Sequence, residues 1–433
     1  DWPPAPDAAA SDGDLALQQC EAACLEIGID RSLVQAVLPM FRYVGSDRPD
    51  GERFMSWLDE SCQRVEFGFI NYHKPEEKPE VAIFWMSPEG QKIPNRRLGW
   101  GEQKTNFIKT FLGHKFVFED VDTGEVVMEH TVEFTGIRGI GDFPSKIHHE
   151  ADKTREIRQT LVNEWDRHLK VKRTFSELGF SRGRLPDDVF SSMGAFTYNN
   201  DKYRSLEEWG GKGVFVNWWE RDVKFIQIPW DLRIVWQTRI KELVEAWAGC
   251  ELENTSMYGL RRYEEGARLL THVDRVTTHA ASVIINVAQG NLTKPWTVEV
   301  HDHADRLHEV VMEPGDIVYY ESAKCLHARN TPLMGEGAYY TNVFSHYRPV
   351  NDANWYKKDN PEGTPEPLLD VGECRLAGPP DVYSRGSVQC DDARIGPHLS
   401  PSMFTAKNGN DLFNWWERVG EVTSKQGGHD GEL

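Results

Sequence analysis

Arg262-Tyr263-Glu264-Glu265-Gly266-Ala267-Arg268-Leu269-Leu270-Thr271-His272-Val273-Asp274 is the stretch on which the reading of this chain turns. It ends in His-x-Asp. Side chains two apart on a β-strand share a face, so His272 and Asp274 leave one strand end side by side. A third ligand must then come from a strand near in space and distant in sequence. His327 lies 53 positions after Asp274 (327 − 274 = 53), behind Gly315-Asp316-Ile317-Val318-Tyr319-Tyr320-Glu321, which reads as a turn and a strand. Two imidazoles and one carboxylate, with other coordination positions open, suit an Fe(II) ion that must also meet O2. His272, Asp274 and His327 are therefore the candidate metal ligands and the candidate catalytic centre.

The whole chain is compatible with such a site. Its 433 residues and 39% hydrophobic content support two or three domains with real cores. A net charge of −19 argues against a nucleic-acid partner, which needs a basic surface. It suits a basic peptide or a neutral small molecule better. No run reaches the roughly 18 apolar residues of a membrane span. The seven cysteines are an odd number, so at least one is unpaired within the chain. Cys374 and Cys390 bracket a Gly/Pro-rich segment that a disulfide would staple, and Cys20 and Cys24 lie one helical turn apart. Sequons at Asn254 and Asn291, an initial Asp and the tail His429-Asp430-Gly431-Glu432-Leu433 point to the secretory pathway or the ER lumen. Without them the expectation is a soluble intracellular chain.

The sequence divides by texture into five parts, and the expected fold class is mainly β with flanking helices. Residues 1–65 read as an N-terminal tail and short helices. Residues 66–140 carry β-rich runs broken by Gly, Pro and Asp-Thr-Gly turns, the pattern of a small β-sandwich. Residues 141–180 hold a connecting helix with Ile157, Leu161, Trp165 and Leu169 on one stripe and a basic cluster read as a solvated face. Residues 181–350 form a second β-rich domain. It contains a helix capped by Asp231, striped by Ile234, Ile240, Leu243, Val244 and Trp247, and stopped at Gly249. Residues 351–433 are a looser C-terminal extension with a last helix near 411–417.

Residues 255–350 resemble the catalytic core of the 2-oxoglutarate and Fe(II)-dependent oxygenases, in the prolyl 4-hydroxylase branch. The shared elements are Arg262-Tyr263-x-x-Gly266, six positions to His272-x-Asp274, the apolar run 281–287, and the Pro314-Gly315-Asp316 turn before the strand leading to His327. The resemblance implies a C-terminal double-stranded β-helix, or jelly roll. It implies Fe(II) and 2-oxoglutarate as cofactors, with ascorbate as a candidate reductant. It also implies hydroxylation of a proline-containing polypeptide, with succinate and CO2 as coproducts. The family's cation for the far carboxylate of 2-oxoglutarate, a Lys or Arg, falls about ten positions after the distal histidine, where a bidentate clamp is apt. This chain has Glu336, Gly337 and Ala338 there, and Leu269 replaces a tyrosine three before the first histidine. Arg329, two after His327, is the nearest spare cation, with Tyr263 and Asn342 as hydrogen-bonding helpers. His301, His303 and His308 are expected in a solvated loop, and His346 packed beside the site.

Residues 66–136 are similar to the von Hippel–Lindau β domain. Residues 107–120 match its central strands and Trp85 an aromatic of its earlier strand. That resemblance implies hydroxyproline recognition. Thr110 and His114 would bond the hydroxyl, and Trp85 and Phe116 would wall the ring, with Phe116 standing where the family has Trp. The expected partner is thus a proline-rich or hydroxyproline-containing peptide. Two other readings remain open. One is an oxygenase of a small molecule. The other is a non-enzymatic hydroxyproline-binding protein with a degenerate jelly roll.

Overall fold

A computed structural model describes residues 64–73, 80–99, 105–132, 135–143, 152–207, 213–358, 374–376, 388–390 and 399–426. The helices expected before residue 64, with Cys20 and Cys24, lie outside these residues. Among the described residues the chain is mainly β with few helices, and it divides into two compact units. The first takes in 64–143, 185–206 and 224–239; the second takes in 152–184, 207–223 and 240–426.

The first unit begins with strands β1 (Arg64–Asn71), β2 (Val81–Met86), β3 (Lys92–Leu98), β4 (Asn106–Phe111), β5 (Lys115–Asp120), β6 (Val126–Thr131) and β7 (Gly136–Ile140). They form a sheet β4-β1-β7 and a sheet β3-β2-β5-β6. Alternation decides which residues face inward. Phe67, Phe69, Ile108 and Ile140 from the first sheet share one core with Val81, Ile83, Phe116 and Phe118 from the second. The Asp-Thr-Gly turn closes the β5–β6 hairpin. Asp120 Oδ1 accepts the N–H groups of Asp122 (2.8 Å) and Thr123 (2.9 Å), and Gly124 takes φ of 70°, which costs glycine little.

Four helices fall within the described residues: α1 (Thr154–Leu169), α2 (Asp187–Asn200), α3 (Trp230–Ala248) and α4 (Gly409–Gln426). In α1, Ile157, Leu161 and Trp165 are buried as the stripe predicts, but Leu169 is 45% exposed. Glu164 and His168 take the buried positions of the last two turns instead. In α3 the inward stripe is rotated from the expected one. Ile240 and Val244 are buried, Val235 and Trp236 join them, and Ile234 is 41% exposed. Gly249, at φ of 70°, ends α3 where the sequence places the stop. The helix expected near 411–417 is the longer α4.

The remaining strands are β8 (Phe180–Arg184), β9 (Ser205–Leu206), β10 (Val223–Ile226), β11 (Leu252–Glu264), β12 (Leu269–His272), β13 (Ala281–Gly290), β14 (Val298–His301), β15 (Arg306–Val310), β16 (Asp316–Tyr320), β17 (His327–Arg329), β18 (Tyr339–Pro349), β19 (Cys374–Leu376), β20 (Val388–Cys390) and β21 (Leu399–Thr405). In the second unit, β8-β16-β13-β18-β11 make one antiparallel sheet and β12-β17-β14-β15-β21 another. Phe180, Ile284, Val318 and Tyr320 of the first pack with Val298, Val300 and Val310 of the second. The apolar run 281–287 is buried throughout because β13 is central in its sheet. β19 and β20 pair antiparallel with Cys374 and Cys390 as register partners.

One expectation is overturned here. His301, His303 and His308 do not lie in a solvated loop; they are 2%, 7% and 0% exposed. Strands β14 and β15 carry two of them into the interior, where the Asp305 carbonyl receives His301 and the Asp302 carboxylate receives His308. Among the described residues, no helix is long and apolar enough to cross a membrane.

Candidate metal centre

β12 ends on His272 and β17 begins on His327, and the two residues are register partners. Asp274 follows two residues beyond the end of β12. One ligand atom from each of the three lies within 4.8 Å of the others. Asp274 Oδ1 is 3.9 Å from Nε2 of His272 and 3.9 Å from Nε2 of His327. His272 Nδ1 donates to the Leu270 carbonyl at 2.7 Å, and His327 Nδ1 donates to the Cys325 carbonyl at 3.0 Å. A carbonyl only accepts, so both protons sit on Nδ1 and both Nε2 lone pairs face the carboxylate.

The charges agree with that assignment. Burial, helped by His327, pushes His272 down to about 4. Burial also lowers His327. Both rings are thus neutral at pH 7. Burial alone would raise Asp274, but the histidines around it, His327 and His346 foremost, outweigh burial and hold its carboxyl below the ordinary range. Its Oδ2 is buried with no hydrogen-bond partner. Two neutral imidazoles and an ionised, under-bonded carboxylate fit a divalent metal with open positions.

The ligand strand is held from behind by α1. Glu164 Oε2 accepts the Val273 N–H at 3.0 Å, and Arg167 Nη2 donates to the Asp274 carbonyl at 2.9 Å. Arg167 also bonds Glu164 at 2.6 Å. The basic cluster of α1 therefore has a structural task that its amphipathic pattern did not reveal. The contacts span more than a hundred residues of sequence, and helical periodicity carries no such information.

Arg329 is register partner to Leu269 and is 2% exposed. Its guanidinium lies 4.3 Å from the ring centres of Trp296 and of Tyr340. Nη1 donates to the Trp296 carbonyl, while Nη2 has no hydrogen-bond partner. Asn342 is fully buried, and neither its Oδ1 nor its Nδ2 is bonded. Tyr263 is also fully buried, 5.0 Å from Trp296 by ring centres, with its hydroxyl accepting from Arg261 at 3.4 Å. A buried cation with an open donor is costly unless an anion completes it. Arg329 and Asn342 supply unmet groups suited to a carboxylate, and the Tyr263 hydroxyl, which accepts from Arg261, keeps its own proton to donate.

His346 packs beside the site as expected, and with it comes His279, which sequence reasoning missed. His279 and His346 also come within 4.8 Å of Asp274, and His346 Nδ1 is 3.7 Å from Asp274 Oδ2. The bonds around His346 fix its tautomer. Ser322 Oγ donates to the His279 carbonyl at 3.0 Å. Ser282 Oγ is 2.6 Å from Ser322 Oγ and 2.7 Å from His346 Nδ1. With the Ser322 proton spent, Ser282 donates to Ser322 and His346 Nδ1 donates to Ser282. The nitrogen facing Asp274 Oδ2 thus carries a proton and is no metal ligand. Burial depresses His346 to about 3, so the ring is neutral. His279 follows Asp274 in a loop of no regular period, which left no signal in the sequence.

In the first unit, the four expected recognition residues come together. Thr110 Oγ1 is 2.9 Å from His114 Nδ1, and Trp85 lies 5.0 Å from His114 by ring centres. Phe116 is the register partner of Trp85 but offers no open wall. It is 2% exposed and packs edge-on against Phe69 at 5.7 Å. Thr110 is 4% exposed, which leaves half-buried Trp85 and His114 as the accessible pair.

No family model and no curated protein matches the chain. Solved structures do. A Pseudomonas putida prolyl-4-hydroxylase is 16% identical, over 44% of this chain and 100% of that one, with a TM-score of 0.32. A Burkholderia pseudomallei oxidoreductase of the 2OG-Fe(II) oxygenase family is 13% identical, over 50% of this chain and 100% of that one, at 0.29. HygX from Streptomyces hygroscopicus, with nickel, 2-oxoglutarate and hygromycin B bound, is 11% identical, over 45% and 94%, at 0.29. The functional reading rests on this chain's own side chains.

Proposed function

We propose that this chain is an Fe(II)- and 2-oxoglutarate-dependent hydroxylase of the prolyl 4-hydroxylase kind, acting on a proline-containing polypeptide. The observation that carries the metal and the cosubstrate is one of unmet groups. His272, Asp274 and His327 converge with two free Nε2 lone pairs and an unbonded carboxylate oxygen. A buried Arg329 with an open Nη2 lies on the same short strand as His327. The two packed sheets of the second unit are read as the halves of a jelly roll around this centre.

His272, Asp274 and His327 would hold the iron, with the Leu270 and Cys325 carbonyls fixing both rings for coordination through Nε2. Arg329 would anchor the far carboxylate of 2-oxoglutarate, and Asn342 would bond it. Iron so bound supplies O2 activation at the expense of 2-oxoglutarate, giving succinate, CO2 and a hydroxylated C–H position. The aromatic faces of Trp296 and Tyr340 hold the Arg329 guanidinium and exclude water from it, which strengthens its pairing with an anion.

In the first unit, the exposed edges of Trp85 and His114 support contact with a prolyl or hydroxyprolyl ring, and Phe116 is withdrawn from that role. A module holding the product chain would raise its local concentration at the second site. The test is direct. Purified protein with Fe(II), 2-oxoglutarate and an oligoproline peptide should release succinate in step with 4-hydroxyproline, seen by mass spectrometry after hydrolysis. Succinate released in step with a hydroxylated metabolite, and never with peptide, would move the assignment to a small-molecule oxygenase. Failure to bind Fe(II) at all would end it.

A further inference from the structure

β11 and β18 pair from Leu252↔Pro349 onward, with one register shift between Asn254↔Tyr347 and Ser256↔His346 and a second between Met257↔Ser345 and Leu260↔Val343. The β11 side carries two residues, Tyr258 and Gly259, where the β18 side carries only Phe344. Gly259 takes φ of 146°, a conformation that an L side chain rarely adopts. This is a β-bulge, and bulges next to sites re-aim a side chain. The side chain re-aimed here is Tyr258. It is 51% exposed, although its strand sits within the sheet and the residues around it are buried.

A lone exposed aromatic means little, but Tyr258 is not isolated. Its hydroxyl reaches Nε2 of His279 at 3.4 Å. Its ring meets His346 edge-on at 5.7 Å between centres. His279 and His346 stack at 3.8 Å with their planes 25° apart, and both are about 95% buried. His346 in turn lies 3.7 Å from Asp274 Oδ2. A continuous run of rings therefore joins solvent to the candidate metal ligand. The side chains of His272 and Asp274 are themselves 17% exposed, so the site opens to solvent. On the His272 side another half-buried aromatic, Phe215, lies 5.4 Å away by ring centres.

We propose that Tyr258 is a substrate-positioning residue, whose ring forms a wall of the site mouth and stacks on a prolyl ring of the polypeptide substrate. The proposal rests on the hydroxylase reading above. The His279 bond holds the phenol from its far end, and the stacked imidazoles behind it prevent retreat into the core. A flat, fixed aromatic face is how proline-rich chains are gripped elsewhere, because the extended chain is already ordered and presents its rings. Tyr258 touches neither metal nor cosubstrate. Its effect is on where the substrate C–H sits, hence on whether each 2-oxoglutarate consumed yields product.

The experiment compares wild type, Tyr258→Ala and Tyr258→Phe on an oligoproline peptide. Iron content by elemental analysis and 2-oxoglutarate affinity by calorimetry serve as checks of the intact site. Removing the ring should raise the peptide KM about 10-fold, the size of one aromatic stacking contact. The fraction of succinate release uncoupled from hydroxyproline should rise with it, while iron content and 2-oxoglutarate affinity stay at wild-type values. Tyr258→Phe keeps the ring and loses only the hydroxyl, and should recover most of the coupling. An unchanged KM and coupling ratio in Tyr258→Ala overturns the proposal. So does wild-type turnover on a small molecule with no oligoproline binding, which leaves the oxygenase reading standing. If wild type binds the peptide but releases no succinate, the hydroxylase reading fails. A weaker peptide Kd in Tyr258→Ala then still supports the wall, and an equal Kd overturns it.

Discussion

The second unit buries two groups of histidines, and they differ in what their carboxylates are doing. Around His301, His303 and His308 the two acids that receive the rings are already spoken for. Asp302 Oδ1 accepts from the Ala304 and Arg306 N–H groups, and its Oδ2 accepts from Arg306 Nη2 at 2.6 Å and His308 Nε2 at 2.8 Å. Glu321 accepts the N–H groups of Thr174, Phe175 and Ser176 and also receives His303 Nε2 at 3.2 Å. Around His272 and His327, Asp274 keeps an oxygen with no donor. Both groups are rich in imidazole; the first is buried, and the second opens to solvent at His272 and Asp274. Only the second leaves its central carboxylate incomplete, and incompleteness in a buried polar cluster is what marks a binding site.

The largest effect should come from the incomplete group. His272→Ala and Asp274→Ala should each lose stoichiometric iron, seen by elemental analysis after loading under argon. Succinate release should fall by more than the 10- to 100-fold or so that loss of an outer partner costs a metal site. Full iron content in either variant would erase the distinction between the clusters. Next comes the cation. Arg329→Ala should weaken 2-oxoglutarate binding by about 2 kcal/mol or more, roughly 30-fold in Kd by calorimetry, since it leaves a buried carboxylate unpaired. Arg306→Ala, at the completed cluster, should leave that Kd alone. Equal losses in the two would place the cosubstrate's anchor elsewhere.

A smaller effect of a different kind is expected at the completed cluster. His308→Leu removes the Nε2 bond to Asp302 in a fully buried position, worth about 1–3 kcal/mol of stability. The melting temperature should fall while iron stoichiometry stays at the wild-type value. Loss of iron together with stability would show that the two clusters are not independent.

One cluster was legible in the sequence and the other was not, for a physical reason. His-x-Asp and a distal histidine are a local spacing plus a strand, and the strand period of two gives that spacing a meaning from the residues alone. The placement of Arg329 on the strand of His327 was legible by the same rule, while its role as anchor is a proposal. The His301–His308 segment looked like a charged loop: His301 and His308 meet partners inside it, but what covers His303 is remote. Glu321 and the 174–176 amides satisfy it from more than a hundred residues away in places, so burial could not be inferred from local polarity. Phe116 was expected to wall the ring only from the von Hippel–Lindau resemblance, and β5 buries Phe116, Val117 and Phe118 alike, so its side chain is closed off. Tyr258 had a readable sign. A glycine inside an otherwise apolar strand often marks a bulge, and Gly259 was that glycine.

The finest test of the comparison is electrostatic, because the completed cluster holds two neighbours whose titrations oppose each other. His301 Nδ1 donates to the Asp305 carbonyl at 3.2 Å. Burial pushes His301 down to about 4, so an unfolded chain takes up its proton first and stability falls as pH drops from 6.5 toward 4. Burial, aided by Asp302 and resisted by Lys324, raises Asp305 from 3.8 to about 6. Here the folded chain holds the proton more tightly. That contribution is complete below 3.8 and is lost as pH rises through 6. Asp305→Asn mimics the neutral form at every pH, and Asn accepts the φ of 58° found there. A two-unit shift sets a ceiling of about 3 kcal/mol. The Asp305 side chain is 25% open to water, and screening there leaves a gain on the order of 1 kcal/mol at pH 7. Denaturant melts should therefore show Asp305→Asn more stable than wild type at pH 7, with the gap closing toward pH 4. A gap that widens on acidification would mean that the Asp305 charge is paired rather than merely buried, and that this cluster is held by ions in the way proposed only for the iron site.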